Sequence, residues 1–243
     1  MGLTIHYKLQ AKGRAQDAKE MIEKMRQKAL DWSFEEVSEV AHFVGDECDY
    51  QKRDRDDEWF WALIQAQTSV SLGPLRSAHA MPVEAVILRT WPGEGCEEAN
   101  FGLCRYPKYL TFGEQSYKVP ANGWSWHSFC KTQYANEKGP MNFVKCHTLV
   151  VAMLDYAKEL GILAEVHDEG DFWEKRDLEA LVDEVSRWDV FISGMSALLN
   201  EIAPGQIEAP IMNRPDYEAM AILGMQHLDP AILAKLNDIA ERR

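Results

Sequence analysis

The longest apolar stripe in this sequence runs through residues 177–202. Apolar side chains recur there at intervals of three or four residues over about seven helical turns, with polar side chains between them. Asp177 stands where a side-chain oxygen can cap the first turn of a helix. The sequence therefore predicts a long amphipathic helix whose apolar face must be covered by a sheet or by a partner. That face comprises Leu178, Leu181, Val182, Val185, Trp188, Phe191, Ile192, Met195, Leu198, Leu199 and Ile202.

The composition indicates an acidic protein with a sizeable core. Hydrophobic residues make up 46% of the 243-residue chain, and 26 basic against 39 acidic residues give a net charge of −13. A negative field repels nucleic-acid phosphates and anionic lipid headgroups, and no local basic patch opposes it. No stretch approaches the roughly 18 apolar residues that a membrane-spanning helix needs. We therefore expect neither a nucleic-acid partner nor a membrane.

The amino terminus and the cysteines indicate a location and a redox state. The first residues lack the basic segment and apolar run of a secretory signal, so we expect a cytoplasmic protein. Five cysteines are an odd number, which does not fit a disulfide framework. Reduced thiols and a metal site both stay open as interpretations. The cysteines are Cys48, Cys96, Cys104, Cys130 and Cys146.

The first part of the chain predicts a strand, a helix and a second strand. Residues 3–9 alternate between apolar and polar side chains, which is typical of a half-buried strand. Ala15–Leu30 has the apolar spacing of an amphipathic helix, residues 34–44 favour a strand, and the charged residues 46–58 favour a solvated loop. The apolar face of the first strand holds Leu3, Ile5, Tyr7 and Leu9, and its opposite face holds Thr4, His6 and Lys8.

The rest of the chain predicts an α+β fold. A helix begins at Pro140 and ends at Gly161, a glycine that suits a helix C-cap, and a short strand follows at residues 162–166. We expect a mainly antiparallel sheet with the helices from residues 15, 141 and 177 packed on one face, because strands and helices are segregated along the chain. The further strands are predicted at residues 59–70, 83–91, 100–106 and 109–119, with an aromatic stretch at 124–134.

Three prolines mark the predicted end of the main domain. Pro204, Pro210 and Pro215 indicate an extended linker, so we divide the chain into an α+β domain at 1–203, a linker at 204–215 and a helical tail at 216–243. The tail predicts one helix over residues 216–224. Asp229 followed by Pro230 predicts the start of a second helix.

The loop at residues 90–100 is the first candidate site. It brings glycines, a thiol and three carboxylates into a short segment between two predicted strands. Its glutamates suit proton transfer if burial raises their pKa values. A simple Pro-Gly turn is the alternative interpretation. The candidate residues are Trp91, Gly93, Gly95, Glu97, Glu98 and Asn100.

The aromatic stretch at residues 124–134 is the second candidate. Trp124 and Trp126 share one strand face and could stack on a planar ligand, although paired tryptophans more often pack a core or an interface. His127 and Cys130 could form a base and nucleophile pair. With Cys96 and Cys104 they also offer four ligands for zinc, but the spacing lacks two tight pairs. Free buried cysteines and no metal are therefore the favoured interpretation.

The segment at residues 166–177 is the third candidate. His167, Asp168 and Asp171 lie with Trp173 between a short strand and the long helix. Carboxylates beside a histidine suit proton transfer or a hard cation. They equally suit the capping of a helix N-terminus, so a functional role and a structural role are equally favoured for this segment. His147, on the preceding helix, is interpreted as a helix-face residue and not as a ligand.

Four sequence segments resemble an uncharacterised bacterial protein family over residues 1 to about 200. They are Met1 to Tyr7, the run WPGEGCEEANFGLCRYP from Trp91, the run SFCKTQYA from Ser128 and the run GDFWEKRD from Gly170. The resemblance implies no activity, cofactor or fold. The chain has no phosphate-binding loop, dinucleotide fingerprint, zinc-protease motif or nucleophile elbow, and the sequence identifies no cofactor.

The functional hypothesis is that loops 91–104, 124–134 and 167–176 converge on one small-molecule pocket, whose ligand the protein could hydrolyse. Catalytic candidates are Glu97, Glu98, His127, Cys130, His167 and Asp168. Ligand-binding candidates are Trp91, Gly93, Gly95, Asn100, Trp124, Trp126, Asp171 and Trp173. The alternative is a non-enzymatic interaction protein that forms an oligomer or binds a partner through the long helix and the tail.

Overall fold

The computed structural model describes residues 3–205 and 208–228. Its elements in chain order are β1 (Thr4–Ala11), α1 (Ala15–Leu30), β2 (Glu36–Val37), β3 (Ala41–Val44), α2 (Phe60–Gln65), β4 (Thr68–Gly73), β5 (Arg76–Ala80), β6 (Glu84–Leu88), β7 (Thr90–Trp91), β8 (Phe101–Arg105), β9 (Tyr109–Phe112), β10 (Gln115–Lys118), β11 (Trp124–Lys131), α3 (Pro140–Glu159), β12 (Leu163–Asp168), α4 (Phe172–Lys175), α5 (Leu178–Ile202) and α6 (Tyr217–His227).

A six-stranded antiparallel sheet forms the centre of the fold. Its strand order is β12-β1-β11-β8-β6-β3, and β4-β5, β9-β10 and β2-β7 form separate two-stranded sheets. α1 packs against β6 and β8, and α3 packs against β1, β12 and α1. α5 joins the same core through Leu181 and Val185. The α+β prediction, with a mainly antiparallel sheet and helices on one face, is confirmed.

The alternation of β1 separates the two faces of the sheet. Ile5, Tyr7 and Leu9 are buried under the helices, as their spacing predicts. The register places His6 opposite both Phe129 on β11 and His167 on β12. Residues directly opposite each other in adjacent strands project from the same face, so the polar side chains of three strands share the second face. We call this second face the open face.

The predicted ends of the two long helices are confirmed. Asp177 Oδ1 accepts a hydrogen bond from Ala180 N at 3.0 Å and so caps α5. Gly161 follows α3 with a φ of +72°, a conformation that glycine adopts without a Cβ penalty. The start of α5 and the end of α3 are therefore explained by local sequence chemistry.

The described part of the tail folds back onto α5. Gly194 on α5 and Gly224 on α6 meet so closely that a Cβ on Gly224 would lie 2.1 Å from Val190 O. Arg214 Nη1 lies 2.6 Å from the buried Asp189 carboxylate, which ties the segment before α6 to the same helix. The helix predicted over 216–224 corresponds to α6, whereas the one predicted from Asp229 lies outside the described residues.

Four strand predictions need correction. The strand expected at residues 83–91 is divided into β6 and β7, which belong to different sheets. The expected strand at residues 59–70 begins instead as α2, because Phe60 and Leu63 are buried at helical spacing; only β4 is extended. Residues 34–44 are interrupted between β2 and β3. Residues 109–119 form the expected pair of strands about Gly113, but this hairpin is separate from the central sheet. Residues 46–58, predicted as a loop, contain two short 3-10 turns.

In the described part of the chain, we find no helix with both the length and the apolar character required to cross a bilayer.

Candidate functional site

A groove of about 370 Å³, lined by both polar and aromatic side chains, lies on the open face. β1, β11 and β12 form its floor, and β4 and the segment before β11 form its walls. Strand alternation brings His6, His127 and His167 to one surface although they are distant in sequence. The lining residues are His6, Tyr7, Lys8, Thr68, Ser69, Tyr106, Pro120, Ser125, Trp126, His127, Glu165 and His167.

Two of the three histidine rings in this groove, those of His6 and His167, lie close together. The ring centroids of His6 and His167 are 6.1 Å apart, with an interplanar angle of 22°. The His6 ring also lies 5.8 Å from the ring of Phe129. Glu169 Oε1 is 3.9 Å from His6 Nε2, which is long for a hydrogen bond. The histidines are therefore held by the sheet and not by strong polar contacts.

Several polar groups in the groove have no protein partner. Within residues 3–205 and 208–228, the ring nitrogens of His127 and His167 make no hydrogen bond, and the Lys8 ammonium makes no ion pair. Both histidines are exposed. Unpaired imidazole and ammonium groups on a concave surface can donate hydrogen bonds to a bound anion or polar molecule. Glu165 lies opposite Lys8 in the strand register and is the groove's carboxylate.

The glutamates of the first candidate loop have structural partners. Glu97 Oε2 accepts a hydrogen bond from the backbone N–H of Lys131 at 3.2 Å. Glu98 binds the Arg89 guanidinium through both oxygens, the shorter contact being 2.6 Å. None of residues 91–104 lines the groove. This loop and the groove therefore lie at separate places on the fold.

The same loop packs against the thiol region of the core. Trp91 Nε1 donates to Cys96 O at 3.0 Å. Gly95 has a φ of +79°, and a Cβ there would lie 2.7 Å from Tyr134 O. Gly93 lies against Cys146, whose sulfur would be 3.0 Å from an added Cβ. The two glycines thus serve close packing against the segment after β11 and against α3.

The tryptophans of the second candidate are core residues. Trp124 and Trp126 are each 1% exposed, and Trp124 Nε1 donates to Gly13 O at 3.2 Å. Trp126 Nε1 donates to Asn100 O at 2.9 Å, and Tyr7 Oη donates to the same carbonyl at 2.7 Å. The Asn100 backbone is therefore an anchor for two buried rings. Trp126 nevertheless reaches the groove lining.

Cys130 is also a core residue, and it lies apart from His127. The two residues project from opposite faces of β11 because they are three positions apart in an extended strand. Cys130 Sγ contacts Glu97 O at 3.3 Å instead. The structure thus places the suggested base in the groove and the suggested nucleophile among the core thiols.

Asp168 belongs to a buried hydrogen-bond chain. Thr132 Oγ1 lies 2.8 Å from His147 Nδ1, and His147 Nε2 lies 3.1 Å from Asp168 Oδ2. Burial would raise the pKa of Asp168, but the His147 hydrogen bond and the N–H groups of Gly170 and Trp173 outweigh it and hold that pKa below its usual value. Thr132 and His147 are 0% exposed, so a substrate cannot reach this chain in the folded state.

The remaining residues of the third candidate flank α4. Asp171 precedes the helix with a φ of +56° and pairs with Lys175 at 2.7 Å. Trp173 lies under the Arg176 guanidinium, 4.7 Å from its carbon to the ring centroid. These two side chains are outside the groove, to which this segment contributes only His167.

The described residues hold no group of three or more metal-ligating side chains in reach of one ion. Cys104 is buried beside Cys48 and Tyr106, and its charge interactions are with those residues and not with Cys96 or Cys130. Burial, with the negative charges of Glu47 and Glu84, raises the pKa of Cys48 to about 11. Of the four side chains considered as zinc ligands, Cys96 and Cys130 therefore lie in one thiol cluster, Cys104 lies in another, and His127 lies on the open face.

Sequence reasoning missed several residues of the two polar clusters. His6 and Lys8 enter the groove from β1, and their alternation with Ile5 and Tyr7 was the sequence pattern that could have identified them. Thr132 and His147 complete the buried chain around Asp168, a contact that depends on the packing of α3 against β1 and β12.

No family model, curated protein or solved structure matches the chain.

Proposed function

We propose that the protein binds a small anionic molecule in the groove on the open face. The observation that carries this proposal is the convergence of three imidazoles and the unpaired Lys8 ammonium on one concave surface. Histidine is the side chain whose charge changes between pH 5 and 8, and a charged imidazole donates two hydrogen bonds. A carboxylate or phosphate group of a small molecule fits this donor set.

The surrounding charge makes the groove selective for small anions. The chain carries a net charge of −13, so its overall field opposes large polyanions such as nucleic acids. Glu165 and Glu169 lie beside the histidines and lower the local positive charge. A ligand with one or two negative charges and a polar remainder satisfies Lys8 and the imidazoles without a long basic surface.

Hydrolysis of the bound molecule is a further step that this proposal does not require. Imidazole groups can transfer protons, and His127 and His167 line the groove together with Ser69 and Ser125. Cys130 is on the other face of the sheet, so it is not the nucleophile of this proposal.

The test is a titration with inorganic phosphate and, separately, with succinate. Binding is monitored through the NMR signals of the histidine rings. We expect the rings of His6, His127 and His167 to shift in a saturable way, and the buried His147 ring to stay unchanged.

Matched variants locate the binding site. His127→Gln and Lys8→Gln should each weaken binding by about tenfold, the loss of one charge-assisted hydrogen bond. His42→Gln is the control, because His42 lies on β3 and pairs with Glu84 outside the groove. Unchanged signals of the three groove rings at saturating phosphate and succinate, or equal weakening by the control, would reject the proposal.

The second candidate function is self-association through α5 and α6. Phe191, Ile222 and Leu223 are exposed on this helix pair, and the Phe191 ring packs edge-on against Trp188 with centroids 5.9 Å apart. Adjacent exposed apolar side chains indicate an interaction surface. Native mass measurements of the full chain should show a dimer that Leu223→Ser disrupts and Leu75→Ser, at another exposed leucine, preserves. A wild-type monomer at micromolar concentration would exclude this function.

A further inference from the structure

Three cysteine side chains from separate segments meet behind the loop that follows β7. Cys96 Sγ lies 3.7 Å from Cys130 Sγ on β11. The Cys146 thiol on α3 also lies beside Cys96, close enough to change its pKa. All three are free thiols. Cys96 is thus the shared neighbour of two thiols, in a cluster that is independent of the proposed anion groove.

The position of Cys96 allows the short approach that a disulfide needs. Bonded sulfurs are about 2.05 Å apart, so the sulfurs of Cys96 and Cys130 must approach by roughly 1.7 Å. Cys130 lies on a strand inside the central sheet, whereas Cys96 lies in a loop between β7 and β8. Closing the gap requires rotation of the two side chains and movement of the Cys96 loop, because β11 is paired on both sides within the sheet.

Solvent access selects which thiol reacts first. Cys96 is 8% exposed, whereas Cys130 and Cys146 are 0% exposed. The contact with Cys130, together with burial, raises the pKa of the Cys96 thiol. A raised pKa keeps the thiolate scarce at neutral pH, and the thiolate is the reactive species. Oxidation should therefore begin at Cys96, proceed slowly at pH 7 and accelerate at higher pH.

We propose that Cys96 and Cys130 form an intramolecular disulfide when the protein meets a peroxide. The Cys96 thiolate attacks one peroxide oxygen, the O–O bond breaks, and the departing hydroxide takes up a proton as water. Cys96 is then a sulfenic acid. The Cys130 thiolate attacks that sulfur, the S–S bond forms, the S–O bond breaks, and a second water leaves. One peroxide is reduced to two waters while two thiols are oxidised to one disulfide.

The test treats the full chain with hydrogen peroxide, denatures it and labels the remaining thiols with N-ethylmaleimide. We expect two of the five cysteines to escape labelling, and a digest to contain one peptide pair joined between Cys96 and Cys130. Reduction with dithiothreitol should restore all labels. The rate should be higher at pH 9 than at pH 7, because deprotonation of Cys96 limits the first step.

Two serine variants distinguish this bridge from general oxidation. Cys130→Ser should abolish the bridge, whereas Cys104→Ser, a change of another fully buried thiol, should leave it intact. Circular dichroism of both variants checks that the fold is retained. Labelling of all five cysteines after peroxide treatment, a bridge from Cys96 to Cys146, or a bridge between Cys48 and Cys104 would overturn the proposal. If Cys130→Ser does not fold, peptide mapping of the wild-type bridge decides alone.

Discussion

On one face of β1, the side chains of Ile5 and Leu9 are buried beneath the helices, and Tyr7 is 1% exposed although it also contributes to the groove lining. On the other face, His6 and Lys8 reach the groove. On the buried face, polar atoms form hydrogen bonds within the protein, as when Tyr7 Oη donates to Asn100 O. The groove leaves Lys8 without an ion pair among the described residues. Polar atoms that have hydrogen-bond partners within the protein stabilise the fold. Polar atoms without such partners can bind a ligand. The two faces should therefore respond differently to substitution.

The largest difference is expected between neighbouring residues on β11. Trp126→Ala removes a fully buried ring and should lower the free energy of unfolding by about 3–5 kcal/mol. His127→Ala, one position further along on the open face, should change it by no more than about 0.5 kcal/mol. Urea denaturation followed by far-UV circular dichroism measures both. Equal losses of unfolding free energy for the two variants would contradict the division of the sheet into a structural face and a binding face.

A second difference concerns the two acids of β12. Asp168→Asn weakens the contact with His147 and should lower the free energy of unfolding by about 1–3 kcal/mol at pH 7. The folded-state pKa of Asp168 is lowered, so its contribution is present above the unfolded pKa of about 3.9 and is lost as pH falls through the folded value.

Unfolding of this variant and of wild type should therefore be compared from pH 7 down to pH 3. We expect the stability difference to narrow below about pH 4. Glu165→Gln, on the open face of the same strand, is the control and should change the free energy of unfolding at pH 7 by less than about 0.5 kcal/mol. If the stability difference between the Asp168→Asn variant and wild type stays constant across this pH range, the charge of Asp168 does not contribute to stability.

A smaller effect is expected from the hydroxyl of Tyr7. Tyr7→Phe removes one of the two hydrogen bonds that Asn100 O accepts, and the bond from Trp126 Nε1 remains. Because no acceptor is left without a partner, the loss should be about 0.5–1.5 kcal/mol, measured by urea denaturation. Burial raises the pKa of Tyr7 well above its usual value, so this loss should be the same at pH 7 and pH 9. A loss above 3 kcal/mol would show that the ring also shifts.

The smallest effect on stability is expected at Lys8. Lys8→Gln removes an ammonium that pairs with no described carboxylate, so the free energy of unfolding should change by less than about 0.5 kcal/mol. The same variant should weaken phosphate binding, which separates binding from folding within one strand. Parallel denaturation and titration of this variant make the comparison. A stability loss as large as that of Tyr7→Phe would place Lys8 in the fold instead.

Much of the fold could be predicted because local patterns determine it. The alternation of residues 3–9, the cap at Asp177 and the stop at Gly161 each act within a few residues. α2 was missed because the aromatic residues 59–61 favour a strand locally, while the helix depends on burying Phe60 and Leu63 against the core. Tertiary packing determines the secondary structure of such short segments, and local sequence patterns do not show how a segment packs.

The site was less predictable because it depends on strand order. His127 and His167 were both identified as candidates, yet only the neighbouring positions of β11, β1 and β12 bring them together with His6. Glu97, Glu98 and Asp168 were identified by residue type, and their roles depend on partners in other elements of the fold: Lys131, Arg89 and His147. Whether a carboxylate is free or already paired is a property of the folded chain.

The alternation of β1 also limits how its length can change. An inserted or deleted residue in the middle of this eight-residue strand would reverse the direction of every side chain beyond it. His6 and Lys8 would then compete with Ile5 and Tyr7 for the interior, and core and groove would fail together. Changes in the length of this strand are therefore tolerable only in steps of two residues, while replacements on either face can vary independently.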